Sequence, residues 1–252
     1  MKNILYIVML LLFTPMLQAQ DVFEEAGKAY QAEDYQKAID LLEAEIKLQK
    51  EKGFESADLY YNLGNAYFRD NEVAKAILNY ERAILINPGD ADIRHNVEFA
   101  YTRIEDKIIG VDTFFLQSWF NSLQNQQSSN AWARLSIVFF LLFIAMLGAF
   151  FFTRTVTVKK VAFYSGVVLL TFLIFTNVFS ARQKYSITHR NTAIIMAGSV
   201  SIKSSPDENS KELFLLHSGT KVRINKVDEN WLEIEIDNGN VGWISRDKLE
   251  II

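Results

Sequence analysis

Side chains able to do covalent or acid–base chemistry are few in this sequence and badly placed for it. There is no cysteine, which removes thiol nucleophiles, thiolate metal sites, disulfides and a lipid-modified cysteine at an export junction. The three histidines, His95, His189 and His217, fall in three separate regions, so their spacing predicts no shared metal. The nearest carboxylate pairs, Glu24-Glu25 and Glu233-x-Glu235, belong to faces that the local pattern assigns to solvent rather than to a cleft. Neither a phosphate-cradling glycine loop nor a nucleophile beside a base is present, so the reading is of a non-enzyme with no catalytic residue, cofactor or metal. What the spacing offers instead is recognition. Tyr61, Asn65 and Phe68 lie four and three residues apart, so one helical face would present a phenol, an amide and a ring together. Rings for apolar contact and an amide for backbone groups suit the binding of a peptide segment.

That stripe lies within a repeat. Across residues 57–90 stand Tyr60, Leu63-Gly64, Ala66-Tyr67, Ala76, Tyr80, Ala83 and Pro88, a pattern that resembles a tetratricopeptide repeat. Two antiparallel helices cross closely in such a unit, which requires small residues where Gly64, Ala76 and Ala83 stand. A weaker copy precedes it: Ala26, Tyr30, Asp34-Tyr35, Ala38 and Leu42 sit 38 residues before Gly64, Phe68, Glu72-Val73, Ala76 and Tyr80. Four residues beyond a 34-residue repeat are expected around 50–54, where Gly53 breaks a helix. After Pro88-Gly89, Ile93, Val97, Ala100, Tyr101 and Ile104 predict one more helix to close the array. The resemblance implies an all-α solenoid over 21–107 with a concave groove for a partner, formed by Tyr61, Asn62, Asn65, Phe68 and Arg69 with Asp58, and continued by His95, Asn96 and Phe99. Residues 21–110 hold 19 acidic against 11 basic side chains, about -8 in a chain of net -4; no basic nucleic-acid footprint exists, and nucleic acid is not an expected partner.

Two runs without charge, 135–152 and 161–180, read as a transmembrane helical hairpin with spans at 131–153 and 161–181 and a loop at 154–160. The alternative is a buried hairpin of a soluble domain. Ala145 with Ala149, and Ala162 with Gly166, are small residues placed to form the contact between spans. Residues 1–20, with Lys2, an apolar core and Pro15, resemble a signal peptide that is either cleaved or kept as an anchor. Either outcome exports the chain from residue 21 onward, and two spans return it to the same side, with Arg154, Lys159 and Lys160 inside. In the segment 108–130, Phe115, Leu116, Trp119, Phe120 and Leu123 share one helical face. Such a helix either lies at the membrane surface or packs on the repeat array.

Beyond the hairpin the period changes to two. Val200 and Ile202, Val222 and Ile224, Leu232, Ile234 and Ile236 alternate with polar residues, and Pro206, Gly219, Asn238-Gly239 and Gly242 mark turns. The order of these residues with Trp231 and Gly242-Trp243-Ile244 resembles a bacterial SH3-like domain at 192–252, implying a small all-β barrel of five strands with Trp231 and Trp243 in its core. Asp207 and Glu208, in its first long loop, are either contact residues or solvated. Such domains bind cell-wall peptides or protein segments, which makes peptidoglycan a possible partner.

The whole order of export signal, repeats, aromatic helix, membrane hairpin and C-terminal barrel is similar to the BatE proteins of the bacterial aerotolerance (Bat) operon. That resemblance implies a scaffold in the bacterial inner (cytoplasmic) membrane with both soluble modules in the periplasm. Its partners would be membrane-anchored von Willebrand factor A domain proteins, an AAA-type ATPase and other members of a complex linked to oxidative-stress tolerance.

Overall fold

Helix signals dominate the first half of the chain and strand signals its last quarter, and the computed structural model has that same division. It describes residues 14–107 and 114–252, the first eight of them by backbone alone. Most of the expected export signal, and the start of the segment before the hairpin, lie outside the described residues. By contacts the chain forms two compact units, one holding the N-terminal helices with the C-terminal strands, the other the apolar hairpin.

In the first unit, helices α1 (Thr14–Gln31), α2 (Tyr35–Glu51), α3 (Ala57–Arg69), α4 (Val73–Ile86) and α5 (Ala91–Tyr101) succeed one another. The carboxylate of Asp34 caps α2 by accepting from the Lys37 backbone N–H, and the Ser56 hydroxyl caps α3 by accepting from that of Leu59. The turn from α1 to α2 and the turn from α3 to α4 are the same turn. Glu33 and Asn71, 38 residues apart, are both left-handed at φ 61° and 66°, and the backbone N–H groups of Asp34 and Glu72 donate back to the Ala29 and Tyr67 carbonyls of the preceding helix, each at 2.9 Å. The four extra residues of the first copy are accounted for: α2 has 17 residues against 14 in α4, and the left-handed Gly53 turn adds one more to the connection. Small residues permit the crossing. Ala38, Ala66, Ala76 and Ala83 are fully buried, and a Cβ added at Gly64 would lie 2.6 Å from the Tyr80 ring.

The strands β1 (Thr192–Ile195), β2 (Ser199–Lys203), β3 (Glu212–His217), β4 (Lys221–Asp228), β5 (Trp231–Glu235), β6 (Val241–Ser245) and β7 (Leu249–Ile251) form one antiparallel sheet, ordered β3-β2-β6-β5-β4-β1-β7. The sheet curls on itself, since Ile202 and Leu216 near one edge share a core with Ala193, Ile195 and Leu249 at the other. Seven strands stand where five were expected. The additions pair with each other, Ala193 opposite Ile251. Neither shows a period of two: β7 is too short, and β1 is buried on three successive residues, as a strand covered on both faces must be.

The second unit holds α6 (Phe115–Gln124), α7 (Ser129–Phe152) and α8 (Val156–Thr188). Helices α7 and α8 are long and apolar enough to cross a membrane. Their outer faces stay bare, with Ile137, Leu141, Val161 and Ile174 each more than half exposed, unlike core helices of a soluble domain. The second helix is longer than the span expected at 161–181. Its 33 residues would extend about 50 Å, so that it takes in most of the 154–160 loop and runs past Arg182. Along α8, Ala162, Gly166, Leu169, Leu173, Thr176, Ser180 and Gln183 recur every four and three residues as the covered stripe, a heptad seam against α7. Polar pairs join the seam: the Asn177 amide donates to the Ser136 hydroxyl at 2.6 Å, and Ser129 donates to the Ser180 carbonyl at 3.0 Å. The small-residue contact is one-sided. Gly166 faces Met146 and Phe143, whereas Ala145 is exposed, because the seam on α7 passes through Phe139, Phe143 and Met146 rather than through the alanines.

Candidate functional site

The expected groove residues come from α3 and α5, and the fold brings part of that set together. Asn65 is the hub. Its Oδ1 accepts from the Tyr80 hydroxyl at 2.8 Å and from the Asn96 amide at 2.9 Å, and the same amide donates to the Tyr61 hydroxyl at 3.1 Å. Burial pushes the Tyr80 phenol up, so it stays neutral and remains a donor. With its oxygen occupied twice, Asn65 keeps an NH2 that finds no acceptor among the described residues. A ligand here is therefore asked for an acceptor, such as a main-chain carbonyl.

The other candidates divide. Phe68 packs on Phe99 with ring centroids 5.6 Å apart. Arg69 turns toward the start of α2, where it donates to the Tyr35 hydroxyl at 3.1 and 3.2 Å. Asn62 donates to the Asp58 carbonyl of its own helix, and His95 is exposed. Between α1 and α3 a pocket of about 230 Å³ opens, lined by Phe23, Gly27, Tyr30, Leu42, Asn62 and Asn65. Tyr80 and Tyr30 join the site without having been expected there. Tyr80 reads from the repeat pattern as a packing residue, and its hydroxyl becomes relevant only once the helix crossing is known.

Less expected is what covers the other side of the array. The C-terminal sheet docks on α4 and on the residues after α5. The Asp106 carboxylate accepts from the His217 backbone N–H at 2.8 Å, from His217 Nδ1 at 2.7 Å and from the Thr220 hydroxyl at 2.6 Å. Burial pushes this carboxyl up, but the hydrogen bonds from Thr220 and His217 outweigh it and hold it below the ordinary value, while the bond to Asp106 raises His217. Glu81 accepts from Lys221 at 2.6 Å and from the Tyr101 hydroxyl at 2.7 Å, and Arg82 donates to Glu250 and to the Ile251 carbonyl, both at 2.8 Å. Gly219 lies so close to Ile77 of α4 and to Ile104, after α5, that a Cβ would meet them at 3.2 and 2.5 Å.

On the sheet, Trp231 and Trp243 are not core residues. They alternate with the buried Leu232 and Ile234, and with Gly242 and Ile244, so both indoles stand partly exposed on the outer face. Register places Trp243 between Lys203 and Glu233, with Lys226 beyond, and Lys203 and Lys226 pair with Glu212 and Glu233 at 3.2 and 3.0 Å. Asp207 closes its own loop by accepting from the Asn209 N–H at 2.8 Å, and Glu208 is exposed. The carboxylate pairs are spent on surface contacts: Glu24 with Lys28, Glu25 with Lys37, Glu233 with Lys226, and Glu235 with the Asn225 amide.

Two stretches of the first unit match known families. Residues 57–90 match the tetratricopeptide repeat family, and residues 198–250 match the bacterial SH3 domain family. No curated protein matches the chain. A tetratricopeptide repeat points to protein–protein interaction and a bacterial SH3 domain to cell-wall binding, here joined with two helices able to cross a membrane.

Proposed function

We propose that the chain is a membrane-anchored adaptor of the bacterial inner membrane whose repeat array and SH3 domain both work in the periplasm. The observation that carries this is the docking of the SH3 domain on the array through Asp106, Glu81 and Arg82. Two modules that touch must share a compartment, and between them in sequence stand two apolar helices, an even number of crossings. The bacterial SH3 match supports the extracytoplasmic side. On this reading the array holds a segment of a partner protein along Tyr61, Asn65 and Phe68, with Asn65 donating to a partner carbonyl. The domain order supports a Bat-type complex with membrane-anchored von Willebrand factor A domain proteins and an AAA-type ATPase, serving oxidative-stress tolerance. Affinity purification from detergent extracts tests it: Tyr61→Ala with Asn65→Ala should lose the main co-purifying protein while the chain stays folded and inserted. Retention of every partner by that variant rules out the groove.

A second reading, binding of peptidoglycan by the SH3 domain, is favoured by the outward Trp231 and Trp243, whose ring faces suit a sugar or a stem peptide. Sedimentation of the solubilised protein with purified cell wall, lost on Trp231→Ala with Trp243→Ala, would support it; binding unchanged by that pair would discard it.

A further inference from the structure

The aromatic helix α6 has a face that neither reading uses. Phe114, Phe115, Leu116 and Trp119 are exposed at 65, 68, 53 and 64%, adjacent large apolar groups of a kind soluble surfaces avoid. The other end of the helix is fixed to α8. Phe120 meets Phe179 edge to face at 5.0 Å, Arg182 lies over the Phe120 ring at 5.2 Å, and the Gln183 amide donates to the Gln124 and Gln127 carbonyls at 2.9 and 2.8 Å. The Trp132 indole N–H donates to the same Gln124 carbonyl at 2.8 Å. These bonds hold the last turn of α6 beside residues 179–183, where the apolar stretch of α8 gives way to Arg182, Gln183 and Lys184.

We infer that α6 lies in the interfacial layer of the bilayer, with Phe114, Phe115, Leu116 and Trp119 inserted among the lipids and Gln183 as the residue that positions it. This rests on the membrane-spanning reading of α7 and α8. Continuity selects the occupant: the bare face belongs to a helix pinned where a span leaves the hydrocarbon, the depth at which amphipathic helices bury an apolar face by about 5–10 Å and where Trp is enriched. The ten residues of α6 carry no charge, so insertion is driven by apolar area and does not depend on anionic headgroups. In this it differs from the basic amphipathic helices that read lipid charge. Arg182, which lies over the Phe120 ring, belongs to α8, as does Lys184 two residues on.

The test is depth-resolved quenching of the full chain in vesicles. One protein keeps Trp119 alone by carrying Trp132→Phe, Trp231→Phe and Trp243→Phe, which removes the Trp132 bond and leaves the two from Gln183 to hold the last turn of α6; a second lacks all four tryptophans and carries Phe140→Trp at the middle of α7. With lipids brominated along the acyl chain, the indole placed at 140 should be quenched most by bromine deep in the chain, and Trp119 most by shallow bromine, with blue-shifted emission and no loss to aqueous iodide. The Trp119 result should be the same in phosphatidylcholine as in phosphatidylglycerol. Gln183→Leu should move Trp119 toward iodide access. Quenching at 140 with Trp119 open to iodide overturns the inference and spares the spans. Trp119 shielded from both quenchers assigns the face to protein and likewise overturns it. Absence of quenching at 140 removes the spanning reading itself.

Discussion

Replacing Gly219 by alanine should weaken the docking of the SH3 domain on the helical array, and a second glycine supplies the control. Gly219 has φ +90° in the turn between β3 and β4, and an added Cβ would lie 2.5 Å from Ile104 and 3.2 Å from Ile77. Gly239, in the Asn238-Gly239 turn, has φ +87° with nothing within 4 Å of the same Cβ. Both substitutions carry the cost of a left-handed alanine, about 1–2 kcal/mol, whether or not the domains are docked. Gly219→Ala alone adds the overpacking against the array, about 1–3 kcal/mol, which is roughly a 5- to 150-fold shift of the docking equilibrium. The His217 backbone N–H, bonded to Asp106 across the interface, reports it, since its hydrogen exchange tracks the opening of that contact. In the detergent-solubilised chain, Gly219→Ala should accelerate exchange at His217 by about that factor over Gly239→Ala. Equal rates for the two variants would refute the docked arrangement.

The same contacts set two further outcomes. Gly64→Leu must push the Tyr80 ring from a gap that a single Cβ would already narrow to 2.6 Å, so the helical array should lose about 1–3 kcal/mol or more, seen as an earlier far-ultraviolet melting step of the full chain; an unchanged step would contradict the crossing. Docking should also depend on pH. His217 is raised above its ordinary 6.5 by the bond to Asp106, so its contribution is complete below that value and is lost as pH rises through the raised one. Asp106 is lowered from 3.8, so its contribution is present above that value and is lost as pH falls through the lowered one. Exchange at His217, corrected for intrinsic catalysis, should therefore speed up from pH 6 to pH 8, and His217→Gln should flatten the rise.

Much of the fold was legible because short-range rules set it. The Gly64 crossing, the 38-residue offset shown by the Glu33 and Asn71 turns, and the bare apolar hairpin all come from local spacing. The outward indoles were missed, because family expectation placed them in the core, although strand parity marks them: Trp231 is out of phase with Leu232 and Ile234. The heptad seam of α8 was hidden because its small and polar residues sit in a helix apolar all round, where no hydrophobic contrast marks a face. Docking was not legible: Glu81, Arg82 and Asp106 meet their partners 111 to 169 residues away, and a lone charge in sequence looks the same whether it ends in water or in an interface. Nor was the division of labour at Asn65, whose oxygen is spent within the fold and whose NH2 has no acceptor among the described residues.

The absence of native cysteine allows the central claim, two docked modules outside the cytoplasm joined through a hairpin, to be tested in intact cells. Single cysteines at Glu33 in the array, Lys159 between the long apolar stretches and Glu229 in the SH3 domain can be treated with a membrane-impermeant maleimide before and after lysis. The Glu33 and Glu229 positions should label in intact cells, and the Lys159 position only after lysis. Labelling of one soluble module without the other, or of the Lys159 position from outside, would contradict that topology.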